Sequence, residues 1–243
     1  MPCRAILRSE ETMWDNFDQQ IYDNIIANGR YMMYVDGLVY TLKATFGAAL
    51  IGIVLGTLVA IVKVYAKTNR ALKPIGALCD VYLTVIRGTP VTVQLMIFAY
   101  VIFILPMDQS IYVAIFGFGI NSGAYVAEIV RAGIQAVNVG QMEAGRSLGL
   151  TNNMTMLHII LPQAIKNILP ALFNEAIVLL KETAVVGYIA GKDLTYVANQ
   201  IRANTYSAVP LFFSALIYLA VVMVMTFFIR KLERRLTRNE KRS

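Results

Sequence analysis

At 243 residues the chain has room for one or two soluble domains, but 57% of it is hydrophobic and its mean hydropathy is +0.58, which excludes that class and places it in a membrane. Its formal charge of +7 sits in loops and at the ends of apolar stretches, where it reports orientation across a bilayer rather than affinity for nucleic acid. Two cysteines, Cys3 and Cys79, share no metal-ligand spacing and offer no disulfide framework.

Residues 1–34 form a polar, acid-leaning tail without the apolar core and cleavage site of a signal peptide, so the first long apolar segment is expected to direct insertion. Trp14, Phe17, Ile21 and Ile25 recur at spacings of three and four. That pattern fits an amphipathic helix over 15–27 lying on the membrane, or equally a partly ordered tail. Five apolar stretches follow, each long enough for the roughly 20 residues a spanning helix needs. Backbone groups in lipid must be paired within each segment, so the fold class is all-α, a polytopic protein with five transmembrane helices over 35–229.

The first span, about 35–66, carries Gly52 and Gly56 as a small-xxx-small face for close approach of another helix. Lys63, Lys67, Arg70 and Lys73 follow it at once and mark a cytoplasmic loop. The second span, about 75–105, is interrupted by Arg87-Gly88-Thr89-Pro90, where proline should bend the helix and free backbone groups. If this helix stands upright, the break lies roughly 20 Å from Lys73, near mid-depth; if residues 74–86 lie along the surface, it sits at the cytoplasmic edge.

The connection 106–110 carries Asp108 and no basic residue and is placed outside. The third span, about 111–136, bears a polar stripe of Asn121, Ser122, Tyr125, Glu128 and Arg131 on one side of its helix. Groups of this kind within a span belong on a bundle interior. The fourth, about 162–187, contains Pro170, Asn174-Glu175 and, toward the outside, Lys181-Glu182-Thr183. The fifth, about 209–229, is nearly free of polar breaks, which suits a lipid-facing helix, and ends in a basic cytoplasmic tail, 230–243. With the N-terminus outside and the C-terminus cytoplasmic, every basic cluster falls on one side.

Between the third and fourth spans, 137–162 is polar and rich in small residues. Glu143, Ala144, Gly149, Ile159, Leu161 and Pro162 match, at fixed spacing, the cytoplasmic signature of the membrane-spanning subunits of ATP-binding-cassette (ABC) importers, with Gly145 where a second alanine is usual. Here the chain resembles those permeases. Arg87-Gly88-Thr89-Pro90 with Gln94, and Tyr125, Glu128 and Arg131, resemble the polar amino acid branch (histidine, arginine or glutamine type), although Ala184 stands where that branch has serine after Lys181-Glu182-Thr183.

The resemblance implies the MetI-like fold of type I ABC importers, in a bacterial cell membrane. It implies two copies of a separate ATPase docked at the signature helix, through Glu143, Ala144, Gly145, Arg146 and Gly149, with ATP and Mg used by that partner and no cofactor on this chain. It implies an identical or similar second permease, an extracytoplasmic solute-binding protein and a polar amino acid as cargo. Thr89, Gln94, Asn121, Ser122, Tyr125 and Glu128 are the expected substrate-binding groups, since a zwitterion crossing an apolar core needs compensation for both charges. Glu128 either balances an ammonium, favouring a basic cargo, or forms an internal ion pair with Arg131 or Arg87; Lys181 and Glu182 either face cargo or pair at an outer gate.

The chain lacks a phosphate-binding loop: Gly191-Lys192 is followed by Asp193, and Val186 stands where the first glycine belongs. No ATP hydrolysis is expected of it. Two rival readings are an ion-gradient-driven secondary transporter using Glu128 as a proton site, and a membrane-embedded enzyme using Glu128 or Glu175 with His158.

Overall fold

The computed structural model describes residues 17–66, 69–104, 106 and 109–240; for Phe17 and residues 236–240 it describes the backbone alone. Cys3, Trp14, Lys67 and Asp108 lie outside the described residues. The elements used below are α1 (Phe17–Ile21), α2 (Arg30–Ala66), α3 (Lys73–Gly88), α4 (Val91–Ile97), α5 (Ser110–Gln135), α6 (Gly140–Ser147), α7 (Asn152–Thr155), α8 (Leu161–Glu182), α9 (Leu194–Thr205) and α10 (Val209–Glu240). The described residues contain no strand.

Four helical runs are long and apolar enough to cross a membrane: Asp18–Ala66, Ser110–Gln135, Asn152–Ile189 and Val209–Arg235. The fifth expected crossing is the pair Arg70–Gly88 and Val91–Phe103, bent by 109°. Two boundaries move from the sequence expectation. α2 begins at Arg30 rather than 35, and the fourth span is entered from Asn152 because a π-helical turn, Met156–Ile160, joins α7 to α8 without a stop. Pro162 lies in the first turn of α8, directly after the π-helical turn.

α5 is the central post, with two-thirds of its apolar window buried, against 11% for α10, the helix expected on the lipid side. α2 reaches α5 through its glycines: a Cβ on Gly52 would lie 2.9 Å from Ser122 Oγ, and one on Gly56 would lie 2.6 Å from both the Gly123 carbonyl oxygen and Val126 Cβ. The small-xxx-small face is therefore the α2–α5 seam, where missing side chains let backbones meet. At the far end of α5, Gly133 admits Ile168 of α8 in the same way, at 2.3 Å from its would-be Cβ.

The amphipathic pattern near the N-terminus forms helical turns, α1 and Tyr22–Ile26, that are tied to the end of α9. Asn24 is buried, donates to the Gln20 carbonyl and accepts from Thr205 Oγ1 at 2.7 Å, while Ser207 Oγ lies 3.2 Å from Gln20 Oε1. Between α8 and α9, Asp193 caps α9 through the Thr195 and Tyr196 amides, both at 3.0 Å, and the Leu194 amide donates to Thr41 of α2.

Candidate functional site

The break in the second span is held by the side chain that follows it. Pro90 has no N–H, so the carbonyl of Ile86 loses its helical partner. Gln94 Nε2 takes that place, donating to Ile86 O at 2.8 Å and also lying 3.1 Å from Thr89 O and 2.7 Å from Thr89 Oγ1. Thr89 sits in the extended conformation usual before proline, and its hydroxyl donates to Val85 O at 2.8 Å. The Gln94 carbonyl in turn accepts from Asn121 Nδ2 at 3.0 Å. Because Asn121 is twelve residues into the 26-residue α5, this arrangement brings α4 against the middle of the central helix.

Three of the residues expected to bind substrate lie at this break. Thr89, Gln94 and Asn121 do come together, but their polar atoms engage one another and the freed backbone; they brace the break. Glu128 is likewise occupied: it accepts from Arg131 Nε at 3.0 Å and stands 3.7 Å from Arg87 NH1, so the internal ion pair is what forms. Arg131 continues to Gln135 Oε1 at 2.9 Å, and the Arg87 guanidinium lies over the half-exposed Tyr125 ring, 5.7 Å from its centre. Lys63, Glu128, Arg131 and Gln135 line a 360 Å³ cavity at the C-terminal end of α5, and Lys63 itself is paired with Asp80 of α3.

Ser122 points elsewhere, donating to Glu175 Oε1 of α8 at 3.0 Å. Glu175 is partly buried, makes no ion pair among the described residues, and is the carboxylate at this level with capacity left for a cation. Beside it runs a stripe that the sequence held but spacing arguments passed over: Asn167, Asn174 and Lys181 are all exposed and seven residues apart, hence on one face of α8. Polar groups on the outer face of a spanning helix are costly against lipid and mark a protein interface or a watery path. Among the described residues Lys181 and Glu182 form no ion pair, and they do not pair with each other because adjacent helical positions point about 100° apart.

The segment 137–162 is a compact unit. α6 ends where Gly149 turns left-handed at φ +86°, and the Gly149 and Leu150 amides close onto the carbonyls of Arg146 and Gly145. Glu143, Ala144 and Arg146 are exposed, and Val139 and Leu148 stand out into solvent. Gly145 is not on that outer surface. It is buried against its own loop, with its would-be Cβ 2.5 Å from Thr155 Cγ2 and 3.2 Å from Ile159 Cδ1, so its small size serves the joint between α6 and the α7–π-turn run that leads into α8. His158 is exposed and bonded to the Met154 carbonyl; it lies 17 residues before Glu175 on one continuous helix, about 25 Å away, so those two groups do not converge.

Residues 52–238 match the family described as binding-protein-dependent transport system inner membrane component. The chain belongs to that family. This permease is 40% identical over 213 residues to the arginine transport system permease protein ArtQ of Bacillus subtilis, covering 85% of this chain and 93% of that one. It is 38% identical over 213 residues to GlnP of Rickettsia felis, a protein named for glutamine transport, covering 86% and 95%. The crystal structure of an amino acid ABC transporter with histidines is 43% identical, with a TM-score of 0.78 over 84% of this permease and 94% of that chain. The MetNI methionine ABC transporter, at 18% identity, shares the fold, with a TM-score of 0.73 over 87% and 99%. The chain is thus an amino acid ABC transporter permease with the type I importer fold.

Proposed function

We propose that this permease, paired with a second copy or a like subunit, forms the path by which a polar amino acid is imported at the expense of ATP hydrolysed by a separate ATPase. The observation that carries the reading is Glu175: a partly buried carboxylate, held by Ser122, beside an exposed Asn-Asn-Lys stripe in a spanning helix. Glu175 takes the ammonium of the cargo. Asn174 and Lys181 supply donors for its carboxylate, and the stripe faces the partner subunit across the path. The relatives' names, arginine and glutamine, fit this class.

Coupling follows from how α6 is attached. Its exposed Glu143, Ala144, Arg146 and Leu148 meet the ATPase, where ATP and Mg act, while Gly145 locks α6 to Thr155 and Ile159 at the foot of the α8 run. A push on α6 therefore moves the helix that carries Glu175, roughly 30 Å farther along. The N-terminus faces outward, toward a solute-binding protein, and the coupling loop faces the cytoplasm. The test is uptake into vesicles holding the permease with and without its ATPase, with ATP inside and a proton uncoupler present. Concentrative arginine or glutamine uptake that needs the ATPase and survives the uncoupler supports the reading; uptake without the ATPase, or lost to the uncoupler, overturns it.

A further inference from the structure

At the end of the bundle away from residues 137–162, the exposed side of α2 and the first turns of α5 leave between them a groove of about 690 Å³. Its walls are Val39, Leu42, Phe46, Ile111 and Ile115, and it also holds Lys43 and Tyr112. The seam beneath it closes because Gly47 has no side chain, its would-be Cβ lying 3.0 Å from Ile115. Lys43 is exposed and has no ion pair or hydrogen bond among the described residues. Asp36, the nearest acid on the same helical face, is two turns away and unbonded to it. The Tyr112 ring is half-exposed.

The register between the helices fixes the depth. Tyr40 Oη lies 3.2 Å from Ser110 Oγ, so residue 40 of α2 is level with the start of α5, and Lys43 sits about 4.5 Å farther in. A lysine there extends its stem along apolar surface and brings its ammonium to headgroup level. An unpaired cation and a phenol at the mouth of an otherwise apolar groove, at that depth, match one amphiphile: a phosphate with acyl chains below it. We propose that this groove is a binding site for an anionic phospholipid, with Lys43 and Tyr112 holding the headgroup and Phe46, Leu42 and Ile115 contacting the chain. A second protein copy is the poorer fit, because burying Lys43 in a protein seam requires a carboxylate that the described residues of this face do not offer. The site is independent of the cargo path and of coupling.

Trp14 is the chain's one tryptophan, so Trp14→Phe with Phe46→Trp leaves a single reporter in the groove. The full-length variant is placed in phosphatidylcholine vesicles containing increasing brominated phosphatidylglycerol or brominated phosphatidylcholine, and quenching of the reporter is followed. Phosphatidylglycerol is expected to compete for the site about five-fold better, the contribution of one lysine near an anionic headgroup. Lys43→Gln should bring that ratio to one, and Lys43→Arg should preserve it. Equal quenching by both lipids with Lys43 in place reduces the groove to ordinary lipid contact and overturns the proposal. Weak quenching by either lipid also overturns it, by showing that another protein surface covers the groove.

Discussion

Thr155 fills the space that a side chain at position 145 would need: a Cβ there would lie 2.5 Å from Thr155 Cγ2 and 2.8 Å from its Oγ1. Thr155 is itself fully buried and bonded to the Thr151 carbonyl at 3.0 Å, so it cannot swing aside freely. Gly145→Ala, although it restores the residue usual in the family signature, should therefore strain this loop by about 1–3 kcal/mol. Trimming Thr155 to Ala in the same chain should return part of the loss. Melting temperatures of the two single variants and the double variant in detergent give the coupling; strictly additive losses would show that the two residues do not share this space.

Glu175 and Glu128 are both carboxylates within spans, yet they should behave differently. Among the described residues Glu175 has Ser122 as its one side-chain hydrogen-bond partner, so neutralising it removes a charge available to cargo. Glu175→Gln should lower kcat/KM for ATPase-driven amino acid uptake about 10- to 100-fold, the worth of a hydrogen bond to a charged group. A variant that transports as well as the parent would move cargo binding away from α8.

Glu128 answers to Arg131 and Arg87. Glu128→Gln leaves two arginines without their counter-charge and should reduce stability by about 1 kcal/mol, a partly exposed pair being worth little more. The preference between arginine and glutamine should stay as it is. A clear change of preference in uptake competition, with melting unchanged, would return Glu128 to the cargo site.

The contrast between these carboxylates also marks what could be read from sequence. Hydropathy gave five crossings because lipid tolerates no unpaired backbone, and fixed spacing gave the coupling segment because a short helix ending in left-handed Gly149 leaves little freedom of sequence. Which partners the polar groups of the third span take was not legible. Asn121 and Ser122 are neighbours on one helix, but Asn121 turns to Gln94 and Ser122 to Glu175, and only tertiary packing decides between such partners. Gln94 is expected at the cargo path as a neutral donor for a zwitterion; its bond to the carbonyl orphaned by Pro90 depends on a 109° bend whose size no local pattern sets.

Glycines in this chain differ sharply in what they permit, and their motifs do not reveal it. Gly56 faces the Gly123 carbonyl and Val126 Cβ at 2.6 Å, so Gly56→Ala must push α2 off α5 and should cost about 1–3 kcal/mol. Gly88, inside the Arg-Gly-Thr-Pro turn, has ordinary negative φ and nothing within 4 Å of a would-be Cβ. Gly88→Ala should change the melting temperature little. The reverse order, with Gly88 the more sensitive, would mean that the break is tighter than its backbone indicates.

Asp193 offers a pH readout from outside the spans. It is fully buried, and although the Thr195 and Tyr196 amides and Tyr218 Oη at 3.3 Å hold its carboxylate, burial outweighs them and pushes the carboxyl above the usual range. A folded-state value above the unfolded one means that the folded chain takes up the proton more readily. The resulting stabilisation is complete below the unfolded value, near 3.9, and disappears as pH rises through the raised folded value. Asn caps a helix about as well as Asp, so Asp193→Asn is the matched reference, whereas Asp193→Ala loses the cap and about 1 kcal/mol. The parent's melting temperature should fall relative to Asp193→Asn as pH is raised across and above the carboxylate range, then level off. A parent that instead gains on Asp193→Asn with rising pH would show that the amide hydrogen bonds, not burial, dominate at the cap of α9.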